Sequence, residues 1–221
     1  MMKQQKTTGL IILRKIQRHD YVLLEKDICK TWHLTESFGD KTAMLLSKAY
    51  LSYNLIYQTF NRVVVVNKQT VGIIAGNNKQ KQKAHLKYVI RLFLAILQLL
   101  LTKEGRSGLK SFFEMNKIYK KLMKNSGRNY GGKLSFFVIN PAYCGLGLGK
   151  KLFQSFIQYL EEEKVETFYL YTDTYCNYQF YDKQGMQKRI EEKCVFFFGN
   201  DELREKFLIT YFLYDYNFQW K

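Results

Sequence analysis

Ser135–Leu152 reads SFFVINPAYCGLGLGKKL, and the rest of the chain is placed outward from it. An apolar strand stops at Pro141, the only proline in the sequence, and glycines at 145, 147 and 149 then lead into a helix. Glycine removes the β-carbons that would block close approach, while the first helical turn offers unpaired N–H groups and the positive end of its dipole. The arrangement is a phosphate cradle, with Lys150 and Lys151 adding positive charge beside it. A glycine-rich turn without a ligand is the competing reading, since such turns are common. Two familiar phosphate loops fail on spacing. The dinucleotide fingerprint G-x-G-x-x-G would need glycine where Lys150 or Leu152 stands. The nucleotide loop G-x-x-x-x-G-K-S/T would need glycine at Cys144 and a hydroxyl at Lys151.

Strand and helix signals alternate on either side. Upstream, Leu10–Ile16 reads as a strand, Asp20 as a cap before a helix, Thr42–Phe60 as a second helix with Leu45, Leu46, Ala49, Leu55 and Ile56 for its buried face, and Arg62–Ala75 as a hairpin turning at Asn67-Lys68-Gln69. Residues 77–85 form a polar, basic connector. A helical block runs from Leu86 to Asn125, broken at Gly105–Gly108, its second half lysine-rich on one face. Lys133–Asn140 is the strand before the cradle and Gly147–Glu163 the helix after it. Thr167–Thr172, Arg189 onward and Lys206–Asp215 read as strands, and Tyr178–Lys183 as a short helix. The class is α/β or α+β with a mixed sheet, in a single domain over residues 1–221 that carries a helical insertion at 84–126.

The 221 residues, with 47% hydrophobic and 24% charged, exclude general disorder and low-complexity designs. A net charge of +16 attracts polyanions: nucleic acid, anionic lipid or a phosphorylated cofactor. The four cysteines are widely spaced with no C-x-x-C pair, and the apolar run at Leu10–Leu13 is shorter than the roughly 7–15 residues of a signal peptide. Free thiols and a cytoplasmic location are the expectation. Val89–Leu101 is apolar around most of its circumference, yet short of the roughly 18 residues a spanning helix needs. The expectation is a core or partner-facing helix, with an interfacial segment on anionic lipid as the alternative.

The run Pro141, Cys144, Gly145, Gly147, Gly149 resembles the P-x-x-(R/Q)-G-x-G-x-G acetyl-CoA-binding motif of the GNAT superfamily of N-acetyltransferases, with Cys144 where the family has arginine or glutamine. A second piece follows in order. YLYTDTYCNYQFYDKQGM (Tyr169–Met186) is similar to the family's next strand, its cofactor-facing asparagine and its FYxxxGF helix, through Asn177, Phe180, Tyr181 and Gly185, with Met186 replacing an aromatic. The resemblance covers Leu134–Met186. It implies a mixed, twisted sheet whose cofactor strands splay, and acetyl-CoA as co-substrate. The residues it implies for binding are Ile139, Asn140, Cys144, Gly145, Leu146, Gly147, Leu148, Gly149, Lys150, Lys151 and Asn177. Tyr181 matches the tyrosine that protonates the coenzyme A thiolate in many members, and is the catalytic candidate; one packing tyrosine among 17 is the alternative. For Asn177 the alternative is a helix cap.

The implied function is transfer of acetyl to a primary amine, on a small molecule or a protein, by direct attack in a ternary complex. Holding the amine beside the thioester, steadying the oxyanion and protonating the thiolate are the tasks involved. Glu36, Asp40 and Asp173 are the candidates for a general base, each also readable as a solvated loop carboxylate or cap. His19, His33 and His85 are isolated, so no metal site is expected. The helical block and the helices before the hairpin are where an acceptor site or a homodimer contact would be built. The rival readings are a catalytically inactive coenzyme A sensor and, further off, a basic nucleic-acid-associated protein using NNKQKQK and MNKIYKKLMKN.

Overall fold

The computed structural model describes residues 10–198 and 205–219. Strand β1 (Ile11–Arg14) leads to α1 (Asp20–Thr31), α2 (Leu34–Ser37) and α3 (Asp40–Leu55). The hairpin β2 (Phe60–Val66) and β3 (Gln69–Asn78) follows, then α4 (Leu86–Leu100) and α5 (Lys103–Ser126). Next come β4 (Gly132–Ile139), a 3₁₀ turn at Pro141–Tyr143, α6 (Leu148–Glu162), β5 (Thr167–Asp173), α7 (Gln179–Lys183), β6 (Gln187–Phe198) and β7 (Glu205–Asn217). The seven strands form one sheet in the order β1-β2-β3-β4-β5-β7-β6. All neighbours are antiparallel except β4 and β5. This is the expected mixed sheet flanked by helices.

The central strands are apolar on both sides because both faces are covered. Val63, Val65, Ile73, Phe136 and Val138 pack against Leu24 and Ile28 of α1 and Leu51 and Leu55 of α3. Val64, Val66, Ile74 and Leu134 meet Leu148, Leu152, Phe156 and Leu160 of α6. Those four α6 residues are four apart and so share one face. Each is essentially inaccessible, worth roughly 1.5–3 kcal/mol on burial, and together they fix the helix that begins at the cradle.

Several local expectations change. The second helix starts at Asp40 and ends at Leu55, and Phe60 opens β2. Asp20 is the first helical residue, with His19 at the cap position; its carboxylate is held by Arg14, the Gln17 N–H and Thr70. Asn77 and Asn78 belong to β3 and are buried, donating to Gln82 and Glu163, so the polar connector begins later. The helical block breaks at Leu101–Thr102, where the Thr102 hydroxyl accepts from the Gly105 N–H as an N-cap. Gly105 lies inside α5 because a Cβ there would stand 2.2 Å from the Leu99 carbonyl oxygen; the glycine permits helix contact rather than a break. Helix α4 is only partly a core helix. Tyr88, Ala95 and Leu99 are buried, while Leu86, Ile90, Phe93, Leu97 and Leu101 lie exposed. Among the described residues no helix is long and apolar enough to cross a membrane.

Candidate active site at the splay of β4 and β5

The parallel strands β4 and β5 pair only at their start, Gly132 with Phe168 and Lys133 with Tyr169. On the other side of β4, Leu134 faces Gly76 and Phe136 faces Ala75, which leaves Ser135 as an extra residue. Such a bulge bends the strand and ends regular pairing. Beyond it β4 diverges from β5, and its edge toward β5 is open from Ser135 to Ile139. A slot therefore opens in the sheet and leads to the glycine loop.

At the head of the slot, Gly145 and Gly147 hold φ of 82° and 73°, a conformation costly for any residue with a β-carbon. Their conformations turn the chain from the 3₁₀ segment into α6, whose first internal bond runs from the Lys151 N–H to the Gly147 carbonyl. The N–H groups of residues 145–150 have no backbone acceptor, and a Cβ on Gly145 or Gly147 would meet nothing within 4 Å. Successive N–H groups around an open concavity at a helix N-terminus form a nest that suits a phosphate. Lys150 and Lys151 are exposed beside it, and Leu146 lies at the loop tip. The Leu148 side chain is buried and anchors the helix, so only its backbone faces the concavity.

Around the slot, Phe137 of β4 meets Phe180 of α7, their ring centroids 5.6 Å apart, and Gly149 admits both rings at the start of α6. Ile139 packs at the same place. Asn177 is exposed at the start of α7; its carbonyl accepts from Phe180 N–H, and its side chain makes no protein hydrogen bond, so it is not the cap. Cys144 is exposed, with its thiol 3.9 Å from the Asn140 carbonyl. The Asn140 side chain is engaged within the protein. Its Nδ2 donates to Asp27 at 2.7 Å, its Oδ1 accepts from the Ala142 N–H, and its own N–H bonds Val71.

Tyr181 packs its ring against Phe153, Phe180 and Tyr214. Burial pushes its phenol well above the ordinary value, and Cys176, Tyr50 and Asp173 push in the same direction. A phenol so shifted keeps its proton at neutral pH and is a donor. Of the three carboxylates considered as a base, Glu36 is exposed and bonded to His33, and Asp40 is exposed at the first turn of α3. Asp173 ends β5 beside the slot, and burial raises its carboxyl despite the hydrogen bond from the Tyr175 N–H.

Sequence reasoning missed the group on the other side of the slot. Tyr50 of α3, Tyr119 of α5 and Tyr171 of β5 line a cavity with Lys133 of β4. No local pattern marks them, because four separate elements contribute. Among the described residues no group of three or more histidine, cysteine, aspartate or glutamate side chains could hold a metal.

Strand β4 thus parts from β5 at a bulge and ends at a glycine nest, while α7 packs the partly buried Tyr181 against Phe153 and Phe180. Residues 110–186 match the model of the Acetyltransferase (GNAT) family. No curated protein matches the chain. Among solved structures the fold is similar to that of SsHAT, at 14% identity and a TM-score of 0.59, covering 92% of this chain and 96% of that one. PH1933 from Pyrococcus horikoshii OT3 is similar at 14% identity and a TM-score of 0.58, covering 96% and 100%. The acetyltransferase of GNAT family from Streptococcus pneumoniae gives 12% identity and a TM-score of 0.50, covering 95% and 100%. At these identities the likeness concerns the fold.

Proposed function

We propose that the protein transfers the acetyl group of acetyl-CoA to a primary amine. The observation that carries this reading is the continuity of the glycine nest with the open edge of β4. The nest, with Lys150 and Lys151 beside it, holds the pyrophosphate, and the backbone of β4 up to Ile139 takes the pantetheine arm, with Asn177 on the opposite wall. Cys144 contributes no charge, so pyrophosphate binding relies on backbone N–H groups and the two lysines. The amine nitrogen attacks the thioester carbonyl, an N–C bond forms, the C–S bond breaks, and sulfur leaves with the electron pair. Tyr181 gives that thiolate its proton. Asp173, raised by burial and next to the same gap, takes the proton from the incoming amine.

The Tyr181→Phe variant tests the assignment. General-acid catalysis is worth about 10²–10⁴-fold, so thiol release should fall by about that much while acetyl-CoA affinity stays within about twofold. A wild-type protein that binds acetyl-CoA yet releases no thiol with any amine would instead be a coenzyme A sensor.

A further inference from the structure

A cavity of about 150 Å³ lies between α3, α5 and the first half of the slot. That volume accommodates a benzene-sized body. Tyrosines make up one side of it, and Asn54, Asn116 and Lys120 line it as well. Tyr119 and Tyr171 stack with centroids 4.3 Å apart and planes 2° from parallel, and Tyr50 faces them from α3. Into this space comes Lys133, two residues before the Ser135 bulge, its Nζ 5.6 Å from the Tyr171 centroid. Lys79 lies alongside with its Nζ 4.9 Å from the Tyr169 centroid.

No aspartate or glutamate lines the cavity. The lysines in ion pairs among the described residues are Lys81, Lys121 and Lys188, so Lys79 and Lys133 have no such partner. Lys133 is half-buried, and a partly desolvated cation without an anion beside it gains from a ligand that supplies the negative charge. Burial, and secondarily the charge of Lys79, lowers the Lys133 ammonium to about 8, which leaves it mostly protonated at neutral pH. The cavity thus offers flat aromatic rings, the asparagine amides of Asn54 and Asn116, the cations of Lys133 and Lys120 and no acid, beside the bulge where the open edge of β4 begins.

We propose that this cavity binds a carboxylate on Lys133, and that the acceptor is a small amine which also carries a carboxylate and a flat apolar body. The identity of the acceptor rests on the acetyl-transfer reading; the carboxylate site does not. The same two lysines disfavour polycationic acceptors.

The experiment compares phenylacetate with phenethyl alcohol by calorimetry on the full chain, and phenylalanine with phenethylamine in thiol release from acetyl-CoA. Wild type should prefer the acid and the amino acid by about tenfold or more, about 1.4 kcal/mol. Lys133→Met should remove both preferences without lowering the melting temperature, and Lys133→Arg should retain them. Equal binding of acid and alcohol, no binding of the acid, or a preference that survives Lys133→Met would overturn the proposal. Selective binding of the acid with no thiol release from any amine would support the carboxylate site while defeating the acetyl-transfer reading. Thiol release that favours phenethylamine would do the reverse.

Discussion

Replacing Gly147 by alanine separates a ligand cradle from an ordinary turn. The residue sits at φ 73°, and its new Cβ would meet no protein atom within 4 Å. The only cost to the free protein is then the left-handed backbone, about 1–2 kcal/mol. For a chain of this size that corresponds to a fall of roughly 2–8 °C in melting temperature. With acetyl-CoA in the cradle, the methyl occupies space that the pyrophosphate uses, and overpacking of this kind costs about 1–3 kcal/mol. The dissociation constant should rise by roughly 5- to 150-fold. Gly149→Ala is the control for folding: its Cβ would lie 3.5–3.9 Å from Phe137, Ile139 and Phe180, ordinary contact, so stability should hold or rise by up to about 1 kcal/mol through helix propensity. Thermal melts without ligand and calorimetry with acetyl-CoA give the two numbers. A Gly147→Ala protein that melts lower but binds acetyl-CoA as tightly as wild type would refute the cradle.

Three further outcomes follow from buried charges. Asp173 acts as base only when deprotonated, and burial raises its carboxyl, so kcat/KM should climb with pH through a value above the ordinary aspartate value of about 3.9; Asp173→Asn should abolish that limb, and an unchanged profile would remove Asp173 from the mechanism. Asp215, inaccessible in β7, takes Arg189 at 2.7 and 2.8 Å and the Tyr130 hydroxyl at 3.0 Å, so Asp215→Asn should cost about 3 kcal/mol or more in denaturant unfolding, against near zero if the network is dispensable. Burial opposes ionisation of Asp20, but hydrogen bonds from Arg14, Thr70 and Gln17 leave its carboxyl below the usual value. That lowered value contributes stability above the unfolded aspartate pKa and loses it as pH falls through the folded one, so Arg14→Gln should move acid unfolding to higher pH.

The glycine loop and the helix after β4 were legible because their signals are local. Alternate glycines after an apolar strand, with Leu148, Leu152, Phe156 and Leu160 at helical spacing behind them, specify loop and helix together. The hairpin was legible for the same reason: Asn67 and Lys68, at φ 49° and 66°, form the turn where two β-branched runs meet. Gly105 misled because a glycine that lets α5 touch Leu99 looks, in sequence, like one that ends a helix. The bond from Asn140 to Asp27 was out of reach because the two are 113 residues apart. Lys133 and its tyrosines share no spacing at all. They meet only after β4 and β5 are paired at their first two positions and α3 and α5 are laid over them. Exposure on α4 was equally out of reach, since its periodicity is that of a helix buried on all sides, and only the packing shows which face is covered.

Calorimetric titration of the purified, dialysed protein with acetyl-CoA, with NADH and ATP as anionic controls, bears most directly on the central claim. The account requires saturable one-site binding of acetyl-CoA that neither control reproduces. Folded protein that gives no heat with acetyl-CoA, or binds all three anions alike, would contradict it.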